Sequence, residues 1–394
     1  MNSKERMFAA MTHQTPDRVP VMCQLSLGHY FIHSGYKPVD IWFDSNVFAA
    51  ALVQRALEYD FDGILINLPG RPTNWREYID SQQDVKGTSH IHWKGGLFTI
   101  VPADDNPRTY MSDMQALPRT DYVSIDVHNP ATYRIAGYVW NTWHIPELWQ
   151  IDHDADLADP KVYPSWFTDP LRRVQQHATD KSIHVEVFSP FTHLMELLGY
   201  EQALFALIEK PQLCHALLAK FTQIVLAQIQ VYAAHGPDAI LISSAFAGAG
   251  FISRQMYQDF VLPYEREIAR AISIHHLISY THTCGAIGDR LDLMAQTEVN
   301  GIDTLDPPPL GTCDLARAKA DYGTRFFLKG NLDSVSEMLH ADNQTFENAV
   351  KGRLRVGKPG SGYILSSACS VAPHVRPEML KRLAELSHEF GCYD

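Results

Sequence analysis

No run of 18 or more apolar residues occurs in this 394-residue chain, so no membrane-spanning helix is expected. An apolar leader is missing too: the opening "MNSKERMFAAMTHQTPDRVP" is charged, which points to the cytoplasm. Positive charge is in short supply. The 33 lysines and arginines face 45 aspartates and glutamates, a formal net charge of −12, and no basic cluster stands out, which argues against a nucleic-acid partner. Cysteine is sparse. The six cysteines, at 23, 214, 284, 313, 369 and 392, are too scattered for a disulfide framework, and the default for each is a buried free thiol. Repeats, low-complexity tracts and Gly/Ser linkers are absent, so one domain over 1–394 is expected.

Short β-branched or apolar runs recur along the chain. They are "RVPVMCQ" near 18–24, "FDGILIN" near 61–67, "SIHVEVF" near 182–188, "DAILIS" near 238–243, "HLISYT" near 276–281, "NGIDTL" near 300–305, "TRFFLKG" near 324–330 and "GYILSS" near 362–367. Amphipathic helical patterns lie between most of them. The run 201–236 reads as a helix, a second helix started by Pro211, and a glycine stop. Continuous apolar strands alternating with helices predict a parallel sheet covered on both faces, and about eight such units predict an α/β (β/α)8 TIM barrel. An open doubly wound sheet is the alternative, but no Gly-rich phosphate loop follows the first strand. Residues 68–165, rich in Trp, Tyr, His, Pro and Asp, read as an insertion after the second strand, with "TSHIHWKGGLFTIVP" alternating like a hairpin.

Chemistry in a parallel barrel sits at the C-terminal ends of the strands. His282 and Cys284 in "SYTHTCG" follow one predicted strand, and Cys369 in "SSACSVAP" follows the last. One imidazole and two thiolates make a plausible zinc set with a fourth position open. The alternative is three ordinary buried side chains. Glu186 and Asp306 also fall at predicted strand ends, each as a fourth ligand, a proton acceptor, or merely a supporting carboxylate.

The chain resembles the uroporphyrinogen decarboxylase superfamily over nearly its full length. The segments that carry the resemblance are "KERMFAAMTHQTPDRVPV", "SPFTHLMELLGYEQALFALIEKPQL", "LKGNLDS" and "GYILSSACSVAPHVRPEMLKRLAEL". It implies a (β/α)8 barrel, in agreement with the strand pattern. The departures are informative. Leu25 and His29 stand where the decarboxylases carry two substrate-gripping arginines, Ser244 falls near their aspartate, and Cys369 at their late histidine. The His-x-Cys pair followed by a distant Cys instead resembles the zinc-dependent corrinoid methyltransferases, including the methylcobalamin:coenzyme M type. Carried over, His282, Cys284 and Cys369 are ligands of Zn2+, and a corrinoid is the methyl carrier. No cobalamin-binding Asp-x-His-x-x-Gly module is present, so the corrinoid is expected on a partner protein or as free cobalamin. The other substrate is expected to be a small thiol or a methoxylated compound, the latter undergoing O-demethylation. His29, Tyr30, Asn67, Trp140 and Trp143 are candidates for an aromatic-walled substrate pocket. Two other readings stay open: a decarboxylase-like lyase, and a non-catalytic corrinoid- or ligand-binding protein.

Overall fold

The computed structural model describes residues 1–134 and 145–393. Its strands are β1 (Gly63–Ile66), β2 (Ile79–Val85), β3 (Thr88–Trp93), β4 (Leu97–Val101), β5 (Arg108–Met111), β6 (Ser182–Phe188), β7 (Ala239–Ser243), β8 (Ile278–His282), β9 (Gly301–Thr304), β10 (Phe327–Leu332) and β11 (Tyr363–Ser367). Seven of them form one parallel sheet in the order β1-β6-β7-β8-β9-β10-β11. Nearly every residue of these strands is buried, because helices cover one face and side chains fill the other. That double burial is why each strand shows in the sequence as an apolar run rather than an alternation.

An eighth ladder was expected from residues 18–24. The structure gives less regular pairing there. Val21 and Leu25 form only isolated parallel bridges, to Leu365 and Val371. Pro20 is the physical reason: it has no N–H to give to a ladder. Its carbonyl still accepts from Leu365 N at 2.9 Å, and Leu365 O accepts from Met22 N at 3.1 Å. On the other side Val21 O accepts from Asp62 N at 2.7 Å, just ahead of β1. The segment therefore hydrogen-bonds toward both edges of the sheet, β11 and β1.

The N-terminal ends of the strands are closed. Helix Ser3–Met11 starts with a capping box between Asn2 and Glu5. Its Met7, Ala10 and Met11 pack with Leu65, Leu241, Tyr280, Phe327 and Ile364. Asp62, fully buried, accepts from Arg6 at 2.6 Å and from Arg18 at 2.8 Å, which ties this helix and the 18–25 segment to the start of β1. Chemistry is left to the other end, where the strands' C termini lie.

Residues 79–111 build a second, four-stranded antiparallel sheet, β2-β3-β4-β5, and the predicted hairpin is β3 with β4. The predicted pair of helices is Tyr200–Glu209 and Pro211–Ala233. The second is, among the described residues, the one helix long and apolar enough to cross a membrane by length and composition; over half of its most apolar window is buried within the fold.

Candidate metal centre

His282 is the last residue of β8, and Cys284 lies two residues beyond it. Cys369 lies two residues past the end of β11. Two strands, β9 and β10, separate β8 from β11 in sheet order, yet curvature of the sheet brings the side chains together. Cys284 Sγ stands 3.4 Å from His282 Nε2 and 3.6 Å from Cys369 Sγ. One nitrogen and two sulfurs all lie within 4.8 Å of one another. Glu186 and Asp306 are not in this group of mutually close ligand atoms.

Behind the imidazole is a feature that the sequence reading missed. Asp303 of β9 lies in register with His282 of β8 on one side and with Lys329 of β10 on the other. In-register side chains on one face of a sheet are neighbours. His282 Nδ1 meets Asp303 Oδ2 at 3.1 Å, and Lys329 Nζ donates to Asp303 Oδ1 at 2.8 Å. Asp303 and Lys329 are each 1% exposed, so this ion pair is fully desolvated. With Nδ1 committed to the carboxylate, Nε2 is the nitrogen that faces the sulfurs. The available signal was a charged residue inside each of two apolar strands, "GIDT" and "FFLKG".

The electrostatics follow from burial and these contacts. Burial alone would lower the His282 pKa; the hydrogen bonds and charges of Asp303 and Cys369 outweigh it and raise it to about 10. Burial opposes the charge on Asp303, but Lys329 and His282 hold it at about 2. The two thiols divide between them: the hydrogen bond from Cys284 holds Cys369 well below the usual thiol range, and the same contact pushes Cys284 well above it. Cys369 is thus held as a thiolate, and a cation bound here would have to displace the protons that His282 and Cys284 keep.

A cleft of about 190 Å³ adjoins the cluster at Ser370, with Asn67 and Glu186 in its wall. Burial raises Glu186 to about 7. Asp306 is raised to about 6, again mainly by burial, although it accepts from Gly285 N at 2.6 Å. His29 does not line this cleft. Its Nε2 is 2.9 Å from the Tyr59 hydroxyl, and burial lowers it to about 3, so it stays neutral. Tyr30 is buried on the same short helix, Leu27–His33, and does not line the cleft either. Trp140 and Trp143 lie outside the described residues. Leu25 is buried against Val371.

Glu265, buried beside Ser244 and Tyr257, is also raised to about 7 by burial. The folded protein then holds a proton that the unfolded chain, near the ordinary 4.5, has already lost. Its contribution is fullest below about pH 4.5 and is lost as pH rises to 7, on the order of 3 kcal/mol by linkage. Glu265→Gln is therefore expected to flatten the fall of stability across that window. Urea midpoints measured along a pH series check it; an unchanged slope would show that Glu265 ionises normally.

A family model described as uroporphyrinogen decarboxylase (URO-D) matches residues 148–390. The uroporphyrinogen decarboxylase of Vesicomyosocius okutanii is 28% identical over 209 residues, 52% of this chain and 58% of that protein. That of Alkalilimnicola ehrlichii is 28% identical over 253 residues, 61% and 66% of the two chains. The matched part thus spans less than two thirds of these relatives' length. Among solved structures, a methyltransferase from Methanosarcina mazei shares the fold, with a TM-score of 0.68, 16% identity and 99% of each chain covered.

Proposed function

The chain belongs to the uroporphyrinogen decarboxylase family, and from that premise we propose that it is a zinc-dependent methyltransferase, moving a methyl group between a corrinoid and a small thiol or a methoxylated substrate. The observation that carries this reading is the convergence of His282, Cys284 and Cys369 at the strand C termini. Their spacing suits zinc. A tetrahedral ion with Zn–S about 2.3 Å and Zn–N about 2.0–2.1 Å sets its sulfurs about 3.8 Å apart, and nitrogen from sulfur about 3.6 Å. The observed 3.6 and 3.4 Å are close to those edges. The fold shared with the M. mazei methyltransferase is in keeping with this branch of the family.

Zinc in that position supplies a Lewis acid that keeps its redox state and leaves one coordination position for substrate. The protein's own groups do the rest. Two thiolates and a neutral imidazole balance a divalent charge. Asp303 fixes the imidazole's orientation, and Lys329 keeps Asp303 ionised in a dry setting. Glu186, near 7 in the adjoining cleft, is poised to take a proton from an incoming thiol or to return one to a departing oxygen. In this reading the corrinoid is supplied on a partner protein or as free cobalamin; the 394 residues contain no Asp-x-His-x-x-Gly motif.

Decarboxylation of a tetrapyrrole fits less well. A polycarboxylate needs guanidinium forks. Leu25 and His29 replace the expected arginines, and among the described residues no lysine or arginine lines the cleft.

Purified protein should carry about one zinc per chain in an N1S2 protein shell by X-ray absorption, and should change the spectrum of methylcobalamin or cob(I)alamin under anaerobic conditions with thiols or methyl ethers. An oxygen- and nitrogen-only shell, or metal-free protein with full activity, would sink the reading.

A further inference from the structure

We infer that the cleft beside Cys369 seats the non-reacting end of the substrate, and that this end is a hydrogen-bond donor, a protonated amine above all, and not an anion. The inference rests on the methyl-transfer reading and narrows its substrate class.

Glu186, 9% exposed, lines the cleft and brings a carboxyl group to it. Asn67 Oδ1 and Gln24 Oε1 are buried there without a hydrogen-bond partner. Each amide can turn its nitrogen or its oxygen inward, so these two adapt to the ligand, whereas Glu186, which burial raises to about 7, is negative once ionised and then favours a donor. Trp42 and Phe188 supply aromatic wall. Among the described residues the lining contains no lysine or arginine, and residues 135–144 contain none in sequence.

Physical chemistry then separates the possible ligands. A sulfonate or carboxylate tail would be desolvated against Glu186 with no cation to meet it. A protonated amine makes a charge-assisted hydrogen bond to Glu186, with amide oxygens beside it and an aromatic face to rest on. A rival is Arg71, whose guanidinium lies 5.5 Å from the Trp42 ring centre. It does not line the cleft; its Nη1 donates to Pro69 O at 2.9 Å and Gly70 O at 3.1 Å, while its Nε and Nη2 are buried without a partner. Ser370, next in sequence to Cys369, lines the cleft and so sets it beside the cluster.

Two thiols of equal length test this: 2-aminoethanethiol and 2-mercaptoethanesulfonate. Both offer sulfur to the metal, and only the tail differs. Calorimetric titration of the zinc-loaded protein at about pH 8, where the amine is protonated, should give binding of the amine at least about tenfold tighter, the worth of one charge-assisted hydrogen bond. Glu186→Gln should remove that preference while zinc content stays the same. Equal binding, or preference for the sulfonate, in protein of full zinc content would overturn the inference and hand recognition to Arg71. A sulfur-free probe, 2-methoxyethylamine, separates the two readings. If it binds metal-free protein and needs Glu186, the cleft inference stands even where the zinc reading has failed; if it does not bind at all, the inference falls on its own.

Discussion

Protein carrying Asp303→Ala is expected to unfold in conditions that the parent survives, and to hold zinc poorly even when folded. Among the described residues, the carboxylate is the one group that both His282 and Lys329 contact at hydrogen-bond distance. Its removal leaves the Lys329 ammonium buried at 1% exposure without a counter-charge, a situation that costs about 3–5 kcal/mol. Against a total stability of about 5–15 kcal/mol, that is a large share. The second loss is separate. His282 Nδ1 loses the partner that sets its ring, which typically lowers metal affinity 10–100-fold. The double variant Asp303→Asn/Lys329→Met pulls the two apart. It should recover most of the melting temperature, because no charge is stranded, yet keep the deficit in zinc affinity measured by competition with a chelator. Recovery of both would mean that Asp303 serves stability alone.

Cys284→Ala or Cys369→Ala should cut activity by more than about a hundredfold, beyond the loss that a supporting partner causes. Each thiolate carries charge as well as a bond, so the remaining site binds zinc less tightly and leaves it more positive. The residual rate per bound zinc then reports the direction of transfer. A more positive zinc makes a bound thiolate a poorer nucleophile, so a large loss per zinc indicates methyl transfer to a thiol. The same charge helps an ether oxygen to leave, so little loss, or a gain, indicates demethylation. Full activity in zinc-free variants would return these cysteines to the status of buried thiols.

What the sequence determined by itself was the part governed by local pattern. Strands buried on both faces must be apolar throughout, so β6 and β7 could be placed almost to the residue. Pro211 and Gly236 bracket a helix whatever it packs against. His282 and Cys284 are two apart, and their pairing needed no fold. Cys369 was reachable only through resemblance and the rule that strand C termini share one end of the fold. Tertiary structure decided the remainder. The register of β8, β9 and β10 puts Asp303 between His282 and Lys329, and register is set by long-range packing that no local window contains. It also decided that His29, an attractive pocket residue on paper, is hydrogen-bonded to Tyr59, because the side a short helix turns inward depends on what it is packed against. Pro20 shows the converse: the residue is plain in the sequence, but only the neighbours on both sides reveal that an interrupted segment still hydrogen-bonds to each of them.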